Sequence, residues 1–113
     1  MIYEIHTYHF NPDKFLEYKN WVVNECVPYL RANLDLVGFY IGDVEPPLID
    51  GTTPMKLELG SANAMWIARW ESMEVQKKTN ETMFSTEEWR RIWADHPDQN
   101  GYLHYEHRFT EGY

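Results

Sequence analysis

With 113 residues, 43% of them hydrophobic and 16% aromatic, the chain fits one packed domain spanning 1–113 and is too apolar for a disordered segment. A formal net charge of -8 argues against attraction to nucleic acid or to anionic membrane surfaces, which depends on clustered Lys and Arg. One cysteine, Cys26, excludes an intrachain disulfide, so the fold asks for no oxidising compartment and a cytoplasmic setting is expected.

Ile2 to Phe10 alternates β-branched or aromatic residues with polar ones and predicts a strand, with no basic or long apolar stretch of the kind found in signal peptides and membrane spans. Asn11-Pro12-Asp13 stops it. Phe15, Tyr18, Val22, Cys26 and Tyr29 then recur at helical spacing and predict a helix to about Asn33, kinked or restarted at Pro28. Leu36 to Val44 is a second strand, apolar enough to suggest burial on both faces. Glu45 to Gly60 holds Pro46-Pro47, Asp50-Gly51 and Pro54 and predicts a long loop, either lid-like or a surface excursion. Ala62 to Trp70 is a third strand, and a helix follows with Ser72 as N-cap. Ser85-Thr86-Glu87-Glu88 resembles a capping box that opens a last helix with Trp89, Ile92 and Trp93 on one stripe. After a turn at Asp98 to Gly101, Tyr102 to Phe109 is the fourth strand.

This order is βαββαβ with a doubled second helix. It predicts an α+β, ferredoxin-like domain: a four-stranded antiparallel sheet with helices on one face, the first and third strands central and the first and last adjacent. The uncovered face needs a partner, and a second copy packing sheet against sheet is the symmetric answer, giving a homodimer.

The opening Ile2-Tyr3-Glu4-Ile5-His6-Thr7-Tyr8 with Asn11-Pro12-Asp13-Lys14-Phe15 resembles the start of the NIPSNAP family. Leu36-Val37-Gly38-Phe39 resembles its second strand, Trp66-Ile67-Ala68-Arg69-Trp70-Glu71-Ser72-Met73 its third strand entering a helix, and Glu88-Trp89 its last helix. The resemblance implies the dimeric α+β barrel superfamily, which also holds cofactor-independent monooxygenases, muconolactone-isomerase-like enzymes and EthD-like proteins. The chain departs from it at His6, where the family usually has Arg, at Trp66, where it often has His, and at Trp70, where it often has Tyr.

Period two puts Glu4, His6 and Tyr8 on one face of the first strand and His104, Glu106 and Arg108 on one face of the last. If the two faces meet, they form either a proton-shuttling site or a satisfied polar network inside the dimer. The opposite faces, Tyr3, Ile5, Thr7 and His9 with Leu103, Tyr105, His107 and Phe109, are expected to face the helices. His6, Tyr8, His104 and Arg108 are the catalytic candidates. Tyr18, Tyr40, Trp66, Arg69, Trp70 and Trp89 are the substrate-binding candidates, aromatic walls for a planar ligand with Arg69 or Arg108 stabilising an anion. His6, His104 and Glu106 could meet across strands, but no His-x-His or Cys cluster selects for a metal, and no metal is expected. Cys26 reads as a core thiol, and without a phosphate-binding glycine loop no organic cofactor is expected. The function expected is acid/base chemistry on an aromatic or unsaturated small molecule, as an isomerase, lyase or cofactor-independent monooxygenase. The alternative is a non-catalytic small-molecule-binding or interaction module.

Overall fold

The computed structural model describes all residues, Met1–Tyr113. Strand β1, Ile2–Phe10, ends at Asn11, whose side-chain oxygen accepts from the Asp13 N–H and opens a short 3-10 turn at Pro12–Lys14. Helix α1, Phe15–Trp21, then runs through a π-helical stretch, Val22–Cys26, into α2, Val27–Asn33. Pro28 explains the irregularity. It has no N–H to return to the preceding turn, and the π stretch, in which Val27 N–H donates to the Val22 carbonyl, re-pairs the backbone while the helix continues to Asn33.

Strand β2 is Asp35–Ile41 and β3 is Ala64–Trp70. The order in the sheet is β2-β3-β1-β4, every neighbour antiparallel, so β1 and β3 are central as expected. β2 is an edge strand. Val37 and Tyr40 are exposed, which corrects the expectation of burial on both faces: an apolar strand at an edge buries only the side turned to the helices. The connection from β2 to β3 carries no regular element, and none of its residues from Glu45 to Gly60 lines the cavity described below.

Helix α3, Met73–Met83, is capped by Ser72, whose hydroxyl accepts from Val75 N–H. Helix α4, Glu87–Ala94, is capped by Thr86, one residue beyond the expected Ser85, with the Thr86 hydroxyl accepting from Trp89 N–H. Tyr29 ties the two halves together, its hydroxyl donating to the Met83 carbonyl and lying 2.6 Å from Thr86 Oγ1. Strand β4, Tyr102–Glu111, completes the sheet and extends past the expected end at Phe109.

The helices cover the face carrying the even-numbered residues of β1 and β3, and the core lies between. Phe10 and Tyr18 stack at 3.7 Å there, and Val22 and Leu30 are fully buried. On β3 this face reads Ala64, Trp66, Ala68, Trp70. The two alanines stand opposite Tyr8 and Glu4 respectively, so small residues face large ones across this pair of strands.

Candidate functional site

Glu4 is the polar centre of the covered face, only 3% exposed. Its neighbour across β3 is Ala68, too small to shield it, and three donors reach it instead. Trp70 Nε1–H donates to Oε1 at 2.9 Å, while His6 Nε2 and His107 Nε2 lie 2.8 and 2.7 Å from Oε2. Burial pushes the Glu4 carboxyl up, but the hydrogen bonds from His6, Trp70 and His107 and the charge on His6 outweigh it and hold the group below its ordinary value. An ionised carboxylate only accepts, so both imidazoles donate to it through Nε2–H. Neither Nδ1 bonds to another group of the chain.

His6 occupies the middle of a row across three strands, paired with Trp66 on β3 and His107 on β4. Its ring lies 3.9 Å from the Trp66 indole and 3.9 Å from the His107 ring, within 10° and 18° of parallel. Burial pushes the His6 imidazole below its ordinary value against the pull of Glu4, and the neighbouring His107 adds to that lowering. One row further along, Trp66 Nε1–H donates to the Tyr8 hydroxyl at 2.7 Å, and burial raises the Tyr8 phenol.

These groups form the polar wall of a cavity of about 460 Å³ between the sheet and the helices, within the usual size range for small-ligand pockets. The remaining walls are mainly aromatic: Tyr18, Trp21, Trp89, Trp93 and Tyr102, with Phe39 and Phe84 beyond them. No Lys or Arg lines it. The site can therefore hold a flat, uncharged molecule against aromatic faces and offer it imidazole nitrogens as proton acceptors.

No protein-family profile and no curated protein matches the chain. Solved structures do. A NIPSNAP domain protein from Burkholderia xenovorans superposes with a TM-score of 0.73 at 15% identity, over 100% of this chain and 95% of that one. A NIPSNAP family protein of unknown function from Agrobacterium tumefaciens gives 0.72 at 16%, over 97% and 86%. The chain has the NIPSNAP fold. An EthD family protein from Bacillus halodurans is similar at a TM-score of 0.54 and 12% identity, over 100% and 99%. These likenesses are of fold, and a fold carries many functions.

In this NIPSNAP fold the expected residues divide between the two faces of the sheet. His6, Tyr8, Tyr18, Trp66 and Trp89 line the cavity, and Trp70 stands behind Glu4. His104 and Arg108 do not join them. The β1–β4 register pairs His6 with His107 and Tyr8 with Tyr105, so the even residues of β1 share a face with the odd residues of β4. His104 stands beside His9, and Arg108 pairs with Ile5 and lies within 4.0 Å of Glu106, all on the uncovered face. The expected meeting of His6, His104 and Glu106 is replaced by that of Glu4, His6 and His107. Tyr40, paired with Met65, and Arg69, which donates to Asp35 at 2.9 Å, also lie on the uncovered face, so neither arginine can steady an anion in the cavity.

The expected face of β1 is inverted as well, whereas Tyr105 and His107 of β4 face the helices as expected. Glu4, His6 and Tyr8 face the helices, and Ile5, Thr7 and His9 face away. A carboxylate and two histidines on the helix side run against the hydrophobic pattern, and mutual hydrogen bonding is what makes that burial tolerable. His107 is expected on the helix side and stands there, but its meeting with His6 is not expected, because alternation assigns a residue to a face of its own strand and is silent on which face of a neighbour it meets. The signal was present in Glu-x-His-x-Tyr of β1, whose polar members need buried partners.

Proposed function

We propose that the chain binds a planar, uncharged aromatic or unsaturated small molecule in the cavity between helices and sheet. The carrying observation is the cavity lining: aromatic walls, one wall of Glu4, His6 and His107, and no Lys or Arg. Aromatic faces reward a flat ligand by area and stacking, and the Glu4 carboxylate repels an anionic one. A series of phenols and lactones, each beside a carboxylate of similar shape, tests this reading by melting temperature. Neutral members are expected to raise it and carboxylates to leave it unchanged. No shift with any neutral compound overturns the reading.

A second reading, acid/base turnover of the bound molecule, is favoured by the Glu4–His6 hydrogen bond, which orients the ring and leaves Nδ1 unpaired. Here His6→Gln is expected to abolish chemical conversion and keep the ligand-induced melting shift. Conversion unchanged in that variant excludes His6 from the chemistry.

The uncovered face, with Ile5, Met65 and Ile67 partly buried and His9 Nδ1 buried without a partner, suits a second copy of the chain. Sedimentation at micromolar concentration is expected to give twice the chain mass, and a monomer alone rules the dimer out.

A further inference from the structure

We infer that Glu4, His6 and His107 bind one first-row divalent cation, of the Zn²⁺ or Fe²⁺ kind, at the polar wall of the cavity. The donor atoms of the three lie within 4.8 Å of one another. Two imidazole nitrogens and one carboxylate oxygen form a donor set that suits such borderline ions, whereas Mg²⁺ and Ca²⁺ prefer oxygen alone. All three residues line the cavity, so the remaining coordination positions open into it.

The electrostatics point the same way. Glu4 is a buried carboxyl in a cavity lined by no Lys or Arg, so no permanent cation of the chain stands against it there, and a bound metal ion fills that place. Trp70 Nε1–H holds Oε1, which orients the carboxylate and leaves Oε2 for the ion, the usual arrangement of an outer hydrogen bond behind a metal ligand.

Binding asks for one movement. The two imidazoles are 18° from parallel at 3.9 Å, so their in-plane lone pairs converge only after one ring tilts. Trp66 holds the other face of His6, whereas the His107 side chain is 34% exposed on an edge strand, so His107 is the ring that turns. Each Nε2 gives up its proton as the ring adopts the Nδ1–H tautomer, and neither Nδ1 is engaged in the chain.

The inference is independent of the organic-ligand reading above. Its test is calorimetric titration of chelator-stripped protein with Zn²⁺, and Co²⁺ titration followed by visible absorption. One ion per chain is expected, with Zn²⁺ displacing Co²⁺. His107→Ala and Glu4→Gln are each expected to weaken binding at least about tenfold, judged from what even outer-shell losses cost. His104→Ala, which alters the histidine pair on the other face, is expected to leave the affinity unchanged. His107→Ala keeps the test decisive should Glu4→Gln fail to fold, since it alters a partly exposed edge residue; circular dichroism checks each variant. Absence of binding at micromolar metal, full affinity in His107→Ala, or loss in His104→Ala instead overturns the inference. Melting shifts with neutral aromatics on the metal-free protein are read separately, so either proposal can fail alone.

Discussion

The His6 imidazole lies flat against the Trp66 indole at 3.9 Å, and the same indole donates its N–H to the Tyr8 hydroxyl at 2.7 Å. One β3 side chain thus fixes two neighbouring positions on β1 by two kinds of interaction. Tyr8→Phe removes the acceptor and leaves the indole N–H unpaired in a closed region. We predict a loss of about 1–3 kcal/mol in urea unfolding. A loss no larger than that of an exposed control such as Tyr40→Phe would show that water replaces the hydroxyl.

Tyr29 makes the corresponding link on the helical side, reaching both the Met83 carbonyl at the end of α3 and the Thr86 hydroxyl that caps α4. Tyr29→Phe should cost about 1–2 kcal/mol, and Thr86→Ala about 1 kcal/mol through the lost cap. Because they share a partner, the double variant should lose measurably less than the sum, and strict additivity in a double-mutant cycle would refute the coupling.

His96 predicts a pH dependence. Its Nδ1 accepts from Asp98 N–H at 3.0 Å, so the proton sits on Nε2, 2.9 Å from the Tyr102 hydroxyl. Burial among Trp21, Trp93, Tyr18 and Tyr102 pushes its pKa down to about 4, against the pull of Asp98. The folded value lies below the unfolded one, about 6.5, so as pH falls the unfolded chain takes up this proton first. The contribution is complete above about 6.5 and is lost progressively toward about 4, up to about 3 kcal/mol in all. Urea unfolding of the natural chain and of His96→Gln should therefore converge as pH falls from 7 to 5; parallel curves would contradict this.

The register makes a prediction of its own. His104→Ala and Arg108→Ala, on the uncovered face, should leave the melting shift with neutral aromatics unchanged, whereas Trp89→Ala, in the cavity wall, should reduce it. Equal losses in all three would mean that the ligand sits elsewhere.

Much of this protein was legible before any coordinates. Period-two alternation in Ile2–Phe10 and the three-four spacing of Phe15, Tyr18, Val22, Cys26 and Tyr29 report on interactions within one segment, so they located β1 and the first helix to within a residue or two. Ser72 and Pro28 act locally too, and their effects were found where the residues stand.

Chain order and these local patterns were enough for the α+β architecture and for the central position of β1 and β3. They were not enough for the site. Whether the face of β1 that carries His6 meets the His107 face of β4 or the face of His104, Glu106 and Arg108 depends on a one-residue choice of register between strands about a hundred positions apart, and shifting it by one turns every β4 side chain to the other face. Which face of β1 the helices cover is likewise decided by the packing of Trp66, Trp70 and the helical aromatics as a whole, and that collective fit brought a carboxylate and two imidazoles to a single point.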